Sequence, residues 1–228
     1  MGMIRRTAAA LAFIVAPAAF GQTYIVPEGD CGAVLLHVTR GAPFPALGEA
    51  IAADGVAKAY VYLPKRRVAV KVTEGAFHAD VPSNAVVMAG VDLKPEIRGN
   101  ETRTEHAKAF LFCGEATPGA EWQRSAGIGL EIYPQGWNGP RPAMKPGDSM
   151  RFIAVDEASR KLLGDLPMEL YRAGAGHVAD GVPAPHGGMT FPYQAPGRYM
   201  VVTTYRRPDP QQPEHWLVDT STLTFDVK

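Results

Sequence analysis

The sequence predicts an all-β protein built as antiparallel sandwiches, and three observations carry that reading. Its 20 prolines and 24 glycines cut the chain into short pieces. Many pieces place an apolar residue at every second position, the period of a half-buried strand, while sustained helical periodicity is scarce. The pieces follow one another through Gly/Pro turns, without the alternating helices that a parallel sheet requires.

The N-terminal end stands outside this pattern. "MGMIRR" is a short basic start, "TAAALAFIV" is an apolar run, and "APAAFG" supplies small residues. That is the layout of a secretory signal peptide over residues 1–21, and the run is too short to span a bilayer. Cleavage after Gly21 leaves Ala19 and Gly21 at the two positions that need small side chains; cleavage after Ala18 is the alternative. No later segment is long and apolar enough for a membrane helix. The expectation is an exported protein, periplasmic or secreted.

From residue 22 the alternation defines a first β domain, 22–115. Its strands are "AVLLHVTR" (33–40), "AKAYVYLP" (57–64), "RVAVKV" (67–72), "NAVVMAGVDL" (84–93) and "HAKAFLFCG" (106–114). "PKRR" (64–67) reads as a solvated turn. "IRGNETRTEHAK" (97–108) has the composition of a helical turn. A polar, Gly- and Pro-containing stretch then serves as a linker over 116–127. The second β domain, 128–228, holds "GLEIYP" (129–134), the turn "MKPGD" (144–148), "SMRFIAV" (149–155) and "LPMELYR" (166–172). "GMTFPY" (188–193), "GRYMVVTTY" (197–205) and "HWLVDTSTLTFDV" (215–227) complete it. A second helical turn is expected at "EASRKLLGD" (157–165), and "PDPQQPEHW" (208–216) reads as a Pro-rich loop. In "QAPGRYMVV", Tyr199 follows a Pro-Gly turn at the head of an apolar strand. That is the arrangement of a tyrosine corner, whose phenol ties the entering loop to the backbone.

Lys and Arg total 23, as do Asp and Glu. Removing Arg5 and Arg6 leaves the mature chain at about −2. With no basic stripe, nucleic acid is not expected as a partner. Cys31 and Cys113 are the only cysteines. In an oxidising compartment an even count predicts one disulfide, the alternative being two buried thiols.

Several pieces resemble the domain-of-unknown-function 4198 family of exported bacterial proteins, some associated with nickel or cobalt uptake. They are "PFP" (43–45) before "DGVAKAYVY" (54–62), "ETRTEHAKAFLFCG" (101–114), "LEIYP" (130–134), "MKPGDSMRFIAV" (144–155), "APGRYMVV" (195–202) and "STLTFDV" (221–227). The resemblance implies two β domains, the C-terminal one an immunoglobulin-like or transthyretin-like sandwich. It also implies an accessory role near transition-metal uptake. One departure stands out: many relatives begin with a His-x-Phe/Leu-Trp motif, whereas "GQTYIVPEG" (21–29) offers Tyr24 and no histidine.

The candidate metal ligands lie in "GHVADGVPAPHGGM" (176–189), which reads as a loop or a loose hairpin end. His177, His186 and Asp180 are its ligand-type side chains, and His215 with Glu214 is the nearest supplement. Imidazole and carboxylate suit Ni, Co, Cu or Zn, but tight sites take three or four preorganised ligands. His37 and His78 read as strand residues. His106 reads as a surface residue pairing in a charged run, and Trp216 as core. The chain has no G-x-S-x-G, H-E-x-x-H, P-loop or dinucleotide fingerprint. Glu131 and Glu169 fall in strands and would act as a glycosidase pair only if they faced one cleft. The sequence therefore predicts a non-enzymatic accessory that binds a small ligand, with an adaptor contacting envelope proteins as the alternative. A carbohydrate-active hydrolase ranks third.

Overall fold

A computed structural model describes residues 21–29, 31–41, 44–63, 66–114, 125–135, 148–192 and 195–227. The expected signal segment through residue 20, most of the linker and most of the 144–148 turn lie outside the described residues, as do Pro64 and Lys65 of "PKRR".

The chain forms β1 (Thr23–Glu28), β2 (Gly32–Arg40), β3 (Glu49–Ala50), β4 (Val56–Leu63), β5 (Arg66–Ala69) and β6 (Ala76–Val81). β7 (Val86–Leu93), β8 (Glu96–Arg98), β9 (Glu101–Phe112), β10 (Leu130–Gln135), β11 (Ser149–Asp156) and β12 (Lys161–Leu163) follow. The last are β13 (Met168–Arg172), β14 (Gly176–Asp180), β15 (Val182–Pro183), β16 (Met189–Pro192), β17 (Gly197–Asp209) and β18 (Gln212–Val227). Among the described residues one 3-10 turn, Ala53–Gly55, interrupts them.

The fold is all-β, in three sheets. A nine-stranded sheet runs β14-β13-β17-β18-β9-β7-β4-β5, with β8 also on β9. A four-stranded sheet joins β1, β2, β3 and β6, and a five-stranded sheet joins β10, β11, β12, β15 and β16. Every strand pairing among the described residues is antiparallel except β9 with β18, which run parallel with Leu223 opposite Lys108. That pair stitches the N-terminal strands to the C-terminal ones within one sheet.

Both faces of this sheet are covered at its centre. On one face Val87, Ala89, Ala109 and Leu111 pack with Ile25, Leu36 and Phe77 of the four-stranded sheet. On the other, Met88, Phe110, Phe112 and Phe225 pack with Ile132, Phe152 and Phe191 of the five-stranded sheet. β7 is buried along its whole length, so its near-continuous apolar run is the signature of a strand covered on both sides. Gly90 lies on β7 where the chain entering β10 crosses it. A Cβ there would lie 2.8 Å from that of Ala126, so the crossing requires a residue without a side chain.

The expected disulfide forms between Cys31 and Cys113, with Cα atoms 5.4 Å apart. The Tyr199 hydroxyl donates to the Ala195 carbonyl, which is the predicted corner. Tyr24 is buried and donates to the carbonyls of Gly41 at 2.9 Å and Ala46 at 2.5 Å, an anchoring role.

Four local expectations are corrected. Residues 97–108 form the β8–β9 hairpin around a left-handed Gly99 (φ 62°), not a helical turn. Residues 157–165 are a turn leading into β12. There Asp156 accepts from the Ala158 amide at 3.1 Å and the Ser159 hydroxyl at 2.8 Å, an Asx turn that competes with helix. Residues 208–216 are a β-hairpin closed by Asp209 accepting from the Gln211 amide at 2.8 Å. The 176–189 stretch is not a loop throughout but carries β14 and β15.

Candidate functional site

The predicted metal ligands do not assemble. His177 lies on β14, with Nε2 3.0 Å from Asp180 Oδ1. His186 occupies an exposed turn. His215 is on β18, with Nε2 2.9 Å from Thr102 Oγ1. β13 and β17 separate β14 from β18, and three strand spacings amount to about 14 Å. Glu214 is exposed beside His215. Among the described residues no three His, Cys, Asp or Glu side chains come together to hold a metal. Glu131 and Glu169 share no cleft either: Glu169 on β13 accepts from the Tyr171 hydroxyl at 2.5 Å, and Glu131 is buried in the core.

His106 is not a surface residue but is buried between two carboxylates. Its Nδ1 lies 2.7 Å from Asp92 on β7, and its Nε2 3.3 Å from Asp219 on β18. Asp92 also accepts from the Gly129 amide at 3.1 Å, and Arg207 pairs with Asp219. Burial opposes protonation of the ring, but the hydrogen bonds and charges of Asp219 and Asp92 outweigh it and raise its pKa to about 9. For Asp219 burial works against ionisation, yet His106 and Arg207 hold the carboxyl below its usual value.

Two residues along β9, Lys108 is fully buried and its Nζ lies 2.5 Å from Oε1 of Glu131, itself fully buried. Glu131 accepts from the Ala126 amide at 2.7 Å and the Ser125 hydroxyl at 2.9 Å. Burial lowers the Lys108 pKa, and Glu131 only partly compensates. The sequence held one signal for these groups. His106 and Lys108 share the parity of Phe110 and Phe112 on one strand, so they point into the same core.

A pocket of about 70 Å³ lies beside His106, lined by Gly129, Leu130, Asp156, Tyr205, Arg207 and Asp219. Small-molecule sites are typically about 300–1,000 Å³, so this one takes a few atoms at most.

The larger feature is a ledge. The first five residues of β9 are half-buried and its last seven buried. β17 changes from buried to alternately exposed after Thr203, β18 is exposed to half-buried up to Thr220 apart from buried Val218, and β8 is exposed throughout. The strands β8, β9, β18 and β17 thus continue as a sheet beyond the packed cores. Trp216 is half-buried here rather than core, with the Arg206 guanidinium 3.8 Å above its ring. Arg206 also pairs with Glu101 at 3.3 Å, and Glu101 with Arg103 at 2.6 Å. Arg40 links Glu96 and Glu105 at 3.3 and 3.2 Å. Ile97 on β8 is 77% exposed.

Comparison with known protein families and with curated proteins returned no match. Fold and surface therefore define a class only: an all-β protein closed by one internal disulfide, with a sheet edge region projecting from its cores. No helix among the described residues is long and apolar enough to cross a membrane.

Proposed function

We propose that the protein is exported, to the periplasm or beyond, and acts there as a non-enzymatic adaptor that recognises an envelope protein through the ledge. The observation that carries this reading is the half-buried Trp216 stacked under Arg206 at the exposed end of the large sheet. Trp, Tyr and Arg are the residue types that dominate interface energetics. A preformed sheet also loses little entropy on binding. The basic-then-apolar leader at 1–21 and the disulfide support export. Of the residues expected to serve the transition-metal role that the family resemblance implies, His177 and Asp180 are the two that meet, where three or four ligands are usual.

Two measurements test the proposal. N-terminal sequencing of the exported chain should begin at Gln22 or Ala19; retention of Met1 would sink the export half. A photo-crosslinking amino acid placed at Trp216 or Ile97 in exporting cells should give a discrete protein adduct, and one at the exposed Leu162, away from the ledge, should not. Adducts from Leu162 alone, or none from the ledge, would refute the adaptor half.

A further inference from the structure

Lys108 and Glu131 meet where no solvent reaches either side chain. A buried ion pair must recover the hydration lost by two charges, which is expensive even in good geometry. Here a chemical alternative is within reach. Nζ is 2.5 Å from Oε1, and a C–O bond adds only about 1.2 Å, so the carboxyl carbon lies within about 3.7 Å of the amine, near attack distance. The rings of Tyr133 and Phe110 lie 4.3 and 5.1 Å from Nζ and help keep water away.

We propose that Lys108 and Glu131 condense into an intramolecular amide that joins β9 to β10. The step begins from the neutral pair, amine and carboxylic acid, reached when one proton passes from Nζ to Oε2 of Glu131. The depressed basicity of the buried Lys108 is in keeping with this. The Nζ lone pair attacks the Glu131 carboxyl carbon, forming the C–N bond and moving the C=O π pair onto Oε1. The Ala126 amide, 2.7 Å away, donates to that oxygen and stabilises its developing charge. A proton passes from nitrogen to the protonated Oε2, which the Ser125 hydroxyl contacts at 2.9 Å. The C–Oε2 bond breaks, water departs with the electron pair, and Oε1 becomes a carbonyl again. Nothing is oxidised or reduced, and no co-reactant is needed.

The product is satisfied by groups already in place. The new carbonyl keeps the Ala126 donor. The one N–H left on nitrogen faces the Ile132 carbonyl, 3.3 Å from Nζ. Cys31–Cys113 ties the β1–β2 turn to the end of β9 beside one core, and this amide would bridge the core on the opposite face of the shared sheet.

Intact-mass spectrometry of the exported chain decides the matter without any variant. The expected mass, after allowance for the disulfide and the removed leader, is lower than the sequence mass by one water, about 18 Da. Fragmentation should place the loss in one branched peptide containing Lys108 and Glu131, and Lys108→Met should restore the full mass. An unshifted wild-type mass overturns the proposal. So does the same loss localised to Asp54–Gly55 or Asp180–Gly181, where a succinimide would mimic it.

Discussion

His106 is held by carboxylates from two strands, with Arg207 behind Asp219 and the Gly129 backbone against its ring. Its folded pKa of about 9 exceeds the ordinary 6.5. The group therefore contributes stability that is complete below about pH 6.5 and is lost as pH rises through 9. The shift corresponds to about 3 kcal/mol. Asp219 acts at the other end of the scale. Its carboxyl is held low, so its contribution is present above about pH 4 and lost as pH falls through the folded value. Urea unfolding midpoints should fall between pH 6 and pH 10, and most of that fall should be missing in His106→Gln. A wild-type midpoint that is flat over this range contradicts the assignment.

At the scale of elements, legibility followed coverage. β2 and β4 alternate because one face meets a core, and the sequence shows it. β8 is exposed and the start of β9 only half-buried, so both carry Glu, Arg and Thr in place of an apolar face. With no apolar period to mark it, the segment reads as a helical turn. The network was hidden for another reason. Glu131 lies 23 residues from Lys108 and Asp219 lies 113 from His106, separations that no local pattern reports. The Tyr199 corner was legible because Pro196, Gly197 and Tyr199 are adjacent in the chain. Replacing Tyr199 with Phe removes one hydrogen bond and leaves the Ala195 carbonyl without that donor. It should cost about 1–2 kcal/mol in denaturant titration with an unchanged far-UV spectrum. No loss at all would mean the tie contributes nothing.

For the whole molecule, the parallel β9–β18 pair makes the two halves of the chain one mechanical unit. That pairing could not be read from segments that each look like a separate antiparallel domain. The disulfide closes a loop of 82 residues between the edge of the four-stranded sheet and the end of β9. Constraining the unfolded chain to that extent is worth about 4 kcal/mol. Cys31→Ala/Cys113→Ala should lose a comparable amount in reversible unfolding, and a loss below about 1 kcal/mol would show that the loop is already restrained by other means. The proposed adaptor role requires that the ledge be a preformed sheet. Amide hydrogen exchange of the intact protein tests this most directly. The ladder amides of Thr102–Glu105 and Leu217–Thr220 should exchange slowly, approaching the protection of Ala107–Phe112 despite their exposed side chains. Exchange of these amides at the rate of an unstructured chain would contradict a preformed ledge.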